Sequence, residues 1–166
     1  MEKNAHVLVD TNVIIEANRL DVWNRLFGSY RLDTVTKCVE ECDTGNQRRS
    51  NLVPIDTKAI IKILKPKNVI DKQIANLILC CNQAEDLDPG EKHLLSYALT
   101  LTDDTYYVCS PDKACMRVAY GLGMLDRFIS LEELMRGCGA KVVGLRTNYL
   151  KSWLERFKTE IKFESL

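Results

Sequence analysis

Ala5-His6-Val7-Leu8-Val9-Asp10-Thr11-Asn12 is the stretch on which the reading of this chain turns. Ala5 to Val9 is a short, mostly apolar run of the length and composition of a buried strand. It ends abruptly on an aspartate, and an acid closing a buried strand is costly unless it meets a partner or a cation. Thr11 to Ala17 then reads as the start of a helix. A buried strand that feeds at once into a helix is the opening of an α/β unit, with the acid at the junction.

The same alternation continues along the chain. Asp21 to Gly28 reads as a second helix carrying Val22, Leu26 and Phe27, Leu32 to Val35 as a brief strand, and Thr36 as the N-cap of a helix ending near Gly45. Gly45 to Asn51 is the clearest loop. Helical segments follow at Thr57 to Leu64 and Asp71 to Cys81, separated by Lys65-Pro66-Lys67, and another runs from Gly90 to Leu101. Tyr106 to Cys109 is rich in strand formers, and Ser110-Pro111 then supplies a cap and a first-turn proline for a helix running to Gly121. Arg127 to Ile129 reads as a last short strand. Ser130 caps Leu131 to Met135 with Glu133 at capping-box spacing, and Thr147 to Ile161 closes the chain as a helix striped by Leu150, Trp153, Leu154, Phe157 and Ile161. Together these predict an α/β fold with a central, mostly parallel sheet flanked by helices. Repeats, low-complexity tracts and linkers are absent, so residues 1–166 read as one domain: a core of about 5–139 and a C-terminal helical extension of about 146–162.

Four carboxylates fall at element edges: Asp10 and Asp112 just after strands, Glu41 one turn into a helix, and Glu91 after the turn Leu87-Asp88-Pro89-Gly90. Side chains just beyond the C-terminal edge of a parallel sheet face the usual ligand crevice. Like-charged carboxylates gathered there repel and raise one another's pKa. A hard divalent ion, Mg²⁺ or Mn²⁺, removes that penalty and prefers oxygen ligands. Two such ions about 4 Å apart activate water and stabilise a leaving oxygen. The competing reading is helix capping, since acids are favoured at helix N-termini for the dipole alone.

The local sequences bear on that choice. Val7-Leu8-Val9-Asp10-Thr11-Asn12 resembles the opening motif of the PIN-domain nuclease family, and Val39-Glu40-Glu41-Cys42-Asp43-Thr44-Gly45 resembles its second. Leu87-Asp88-Pro89-Gly90-Glu91-Lys92-His93-Leu94-Leu95 with Ala98 is similar to the third. Val108-Cys109-Ser110-Pro111-Asp112-Lys113-Ala114 with Arg117, Ala119 and Gly123 is similar to the fourth. The likeness spans roughly residues 5 to 139 in the family's order; the closing helix has no counterpart in it. The resemblance implies a three-layer PIN-like domain in which Asp10, Glu41, Glu91 and Asp112 hold Mg²⁺ or Mn²⁺, with Thr11, Asn12 and Ser110 orienting ligands or waters. Glu40 is the alternative to Glu41, whose spacing to Gly45 and apolar flanks favour it, and Asp88 reads as a turn former. The implied activity is endoribonucleolytic hydrolysis, as in the toxin of a toxin–antitoxin pair. The implied partners are RNA, an antitoxin protein and a second copy of the chain. A DNA nuclease and a degenerate module that only binds RNA or protein are the alternatives.

Substrate phosphates need cations. Lys113 and Arg117 lie one turn apart beside Asp112, and Arg48 and Arg49 lie on the loop after the Glu41 helix. The 23 basic and 23 acidic residues cancel, so nucleic-acid binding requires a local patch of this kind. Seven cysteines, an odd number without Cys-x-x-Cys, read as small buried hydrophobes, and two histidines are too few for a histidine-based site. Receiver and haloacid-type phosphatase readings fail, because the start of the chain offers only Asp10 and reads Asp-Thr-Asn. No apolar run reaches membrane-spanning or signal-peptide length, which predicts a cytoplasmic protein without membrane contact.

Overall fold

The computed structural model describes residues 4–44, 54–101 and 105–164. Three parallel strands, β1 (His6–Val9), β2 (Arg31–Asp33) and β3 (Tyr106–Cys109), form a sheet in the order β2-β1-β3. Leu8 stands opposite Asp33 on one side and Val108 on the other, and Val9 pairs with Cys109. The chain leaves the central strand for one neighbour and later returns to the other. The C-terminal ends of β1 and β3 are therefore a topological switch point, the place where an open α/β sheet presents a crevice.

Both faces of the sheet are covered, so β1 reads as continuously apolar rather than alternating. On one face Leu8 and Val108 pack with Leu94 and Leu95 of α6 (Pro89–Ala98), Met116 of α7 (Lys113–Gly121) and Phe157 of α9 (Lys151–Glu164). On the other, Val7 and Val9 pack with Val13 and Ile14 of α1 (Thr11–Arg19), Leu26 of α2 (Trp23–Ser29), and Leu134 and Met135 of α8 (Leu131–Gly137). Three further helices, α3 (Thr36–Thr44), α4 (Thr57–Leu64) and α5 (Asp71–Cys80), complete the set among the described residues. None of these helices is long and apolar enough to cross a membrane.

The closing helix docks on its own domain. Leu154, Phe157 and Ile161 are buried at helical spacing, each contributing on the order of 2 kcal/mol. Lys158 Nζ donates to Phe128 O at 2.9 Å and the backbone N–H of Lys151 to Glu132 Oε2 at 2.9 Å. The segment before it is pinned to α1. Fully buried Glu16 accepts two hydrogen bonds from Arg19 and one from the Arg146 backbone N–H, while Arg19 also donates to Gly144 O.

Three local expectations are corrected. The N-cap of α7 is Asp112 rather than Ser110, so Pro111 precedes the cap instead of opening the helix. Arg127 to Ile129 does not form a strand. A 3₁₀ turn covers Leu125–Arg127, only Phe128 bridges Val108, and Arg127 is drawn onto the Tyr106 ring and carbonyl. The closing helix is interrupted: Thr147–Tyr149 is a 3₁₀ turn and Leu150 is extended. Tyr149 is buried there, its hydroxyl donating to Asn12 O at 3.1 Å.

Candidate functional site

Three helix N-termini bring acids within interaction range of one another at this switch point. Asp10 follows β1 and caps α1, its Oδ1 accepting the Val13 N–H at 2.8 Å. Asp112 follows β3 and caps α7, its Oδ1 accepting the N–H groups of Ala114 at 2.6 Å and Cys115 at 3.0 Å. Glu91 lies in the first turn of α6. One hydroxyl links the first two: Ser110 Oγ donates to Asp10 Oδ2 at 2.5 Å and accepts from the Asp112 N–H at 3.2 Å. That double duty is why Ser110 is not available as the cap of α7.

Glu41 approaches from α3. Its Oε1 accepts the Gly90 N–H at 2.8 Å and its Oε2 the Thr11 hydroxyl at 2.7 Å, so it is held by the sequence neighbours of Glu91 and Asp10. The carboxylate lies flat on Gly90, where a Cβ would collide with it. A side chain there would push the Glu41 carboxylate off its bonds to Thr11 and the Gly90 N–H; the backbone angle at Gly90 is not left-handed. Glu40 instead points outward and pairs with Lys37 at 3.2 Å.

An acid at a helix start is ordinarily wet; Asp112 and Glu41 are half-buried, but Asp10 and Glu91 are shut away from water. Asp10 is 2% exposed and Glu91 7%. Burial pushes Asp10 from 3.8 up to about 7; the Ser110 and Val13 hydrogen bonds pull the other way, and the charge of Asp112 adds to the rise. Glu91 is pushed up to about 9, by burial first and then by the negative charges of Asp112, Asp10 and Asp88 and a hydrogen bond shared with Asp112. Both carboxyls are held toward the protonated form. Among the described residues, no three His, Cys, Asp or Glu side chains are already arranged around one ion position.

Four buried thiols lie close enough to the acids to feel their charge. Burial pushes Cys38 and Cys42 up to about 12, with the negative charge of Asp10 adding to both, and raises Cys109 and Cys115 well above the ordinary thiol value. These groups stay protonated and act as small apolar packing; Cys38 Sγ also donates to Gly90 O at 3.5 Å. Their raised values disfavour a free thiolate nucleophile.

Of the remaining expected residues, Thr11 and Ser110 hold carboxylates in place, and Asn12 enters through its main-chain carbonyl, which accepts from Tyr149. Lys113 and Arg117 share a face of α7, 4.6 and 5.0 Å from the centre of the Phe157 ring. Arg48 and Arg49 lie outside the described residues. Two contributors went unread in the sequence. Gly90 had a signal, its place in Asp-Pro-Gly-Glu, but its role depends on an acid 49 positions away. Tyr149, whose hydroxyl is raised by burial and by the nearby charge of Asp10, had none.

No protein-family model, curated protein or solved structure matches this chain.

Proposed function

We propose that this crevice is the active site of a PIN-like, Mg²⁺- or Mn²⁺-dependent endoribonuclease, the cation being held by Asp10, Glu91 and Asp112 with Glu41 at its margin. The observation that carries the reading is the burial of Asp10 and Glu91 against the charge of Asp112, which holds two carboxyls at about 7 and about 9. Capping alone does not account for that cost; a hard cation among oxygen donors does.

The chain's own groups have definable parts. Ser110 fixes the Asp10 carboxylate through Oδ2, and the Val13 N–H fixes it through Oδ1, leaving a second lone pair on each oxygen for an ion. Thr11 and the Gly90 N–H do the same for Glu41. The three converging N-termini of α1, α6 and α7 present positive dipole ends to a phosphate. On this reading Lys113 and Arg117, which follow Asp112 on α7 and gather over the Phe157 ring, take neighbouring backbone phosphates. When bound, the ion supplies the nucleophile by lowering the pKa of water and offsets charge developing on the phosphate.

A second reading, a module that binds without cleaving, draws on the structural duties of the same acids: Asp10 and Asp112 as caps, Glu41 on the start of α6. One experiment separates the two. Incubation of total RNA with the protein and Mn²⁺ gives cleavage abolished by EDTA and by Asp10→Asn under the first reading. Cleavage that survives both, or RNA binding without any cleavage, excludes it. Parallel single-stranded DNA tests the choice of RNA.

A further inference from the structure

Arg117, which the sequence offers as a phosphate ligand, is already holding an acid. Arg117 Nη2 donates to both carboxylate oxygens of Glu164, at 3.1 and 2.9 Å. We propose that Glu164, in the last turn of α9, is an intramolecular stand-in for a phosphate of single-stranded RNA, and that binding the strand along α7 requires its displacement. The inference rests on the ribonuclease reading and adds a competitor built into the chain.

Four features support it. A carboxylate and a phosphodiester offer the guanidinium the same charge and the same pair of acceptor oxygens. The pair is solvent-exposed, with 42% of the Arg117 and 56% of the Glu164 side chain accessible, so an incoming anion can exchange with it. Arg117 does not depend on Glu164 for its place. It lies over the Phe157 ring beside Lys113, and that ring stacks on Trp153 at 5.6 Å between centroids, so the two cations stay together when the acid leaves. Finally, an acid in the last turn of a helix opposes the macrodipole, so the position of Glu164 is not explained by stabilisation of α9 itself. Arg117 is five residues beyond Asp112, about 7.5 Å along the helix axis, which suits it to a phosphate next to the crevice rather than the one being cut.

The test is fluorescence anisotropy of a labelled single-stranded 12-nucleotide RNA with the full chain in EDTA, which stops cleavage, over a range of salt. Glu164→Gln tightens binding about two- to five-fold at low salt, the scale of an exposed ion pair, and the gain fades as salt rises. Arg117→Gln weakens binding, and adding Glu164→Gln to it gives no further gain. Unchanged or weaker binding by Glu164→Gln, with wild type binding normally, overturns this inference and leaves the nuclease reading standing. A gain that persists in the Arg117→Gln background also overturns it, because the effect is then one of general charge. Absence of RNA binding by every form overturns both.

Discussion

Replacing Asp10 by asparagine should make the metal-free protein more stable. Asparagine is as good an N-cap as aspartate and keeps an oxygen for the Val13 N–H, so a purely structural Asp10 predicts almost no change. A buried carboxylate kept for a cation predicts a large one. Asp10 is held at about 7 against an ordinary 3.8, so at pH 8 its ionised form costs about 1.4 kcal/mol for each tenfold, or roughly 4 kcal/mol in all. The sign follows from the raised value. The folded protein binds the proton more tightly than the unfolded chain, so stability falls as pH climbs from about 4 and levels off above about 7. Glu91 acts in the same direction and carries the decline on toward 9. For a chain of this size 1 kcal/mol is worth about 2–4 °C, so Asp10→Asn should raise the melting temperature by on the order of 10 °C at pH 8 in EDTA. The gain should shrink at pH 5. The assay is differential scanning calorimetry at both pH values, with and without Mn²⁺, which should stabilise the wild type and not the variant. A variant that melts with the wild type at pH 8, or below it, refutes the reasoning.

Other positions give independent checks. Gly90→Ala puts a methyl group into the Glu41 carboxylate. It should therefore cost about 1–3 kcal/mol in urea unfolding, although the same change at an unencumbered helical site gains up to about 1 kcal/mol. Mn²⁺ affinity measured by calorimetry should rise between pH 6 and pH 8, because Asp10 and Glu91 must lose protons to bind it; a flat profile would count against their role as ligands. Phe157→Ala removes a fully buried ring shared by α9 and the sheet core. It should destabilise by about 3–5 kcal/mol in the same unfolding assay, whereas a loss under 1 kcal/mol would mean that α9 is not integral to the domain.

What could be read in the sequence was whatever local chemistry decides. The apolar run ending at Asp10, the bounds of α4 and the Ser130–Glu133 capping box depend on neighbours within a few positions, and the structure has them as expected. The α/β class followed from the alternation of such segments; of the two adjacent acids, Glu41 bonds Thr11 and Glu40 pairs with Lys37. The errors arose where a distant group intervened. Ser110 has the chemistry of a cap, but Asp10, 100 positions earlier, claims its hydroxyl and Asp112 takes over. Leu150 lies in a good helical pattern, yet it is extended, after a turn whose Tyr149 bonds Asn12, 137 positions away. The occupation of Arg117 by Glu164 is of the same kind: each residue reads as an ordinary surface charge until the fold joins them.

The most direct test of the central claim is the rate of cleavage of a single-stranded RNA by wild type and Glu91→Gln as Mn²⁺ is titrated. Glutamine keeps the shape of the protonated acid in the first turn of α6 but cannot become a charged ligand. Cleavage by the wild type that saturates with Mn²⁺, and its loss by at least about 100-fold in Glu91→Gln at every concentration, is the result expected of a carboxylate-held cation. Equal rates for the two proteins, or a rate independent of Mn²⁺, would contradict it.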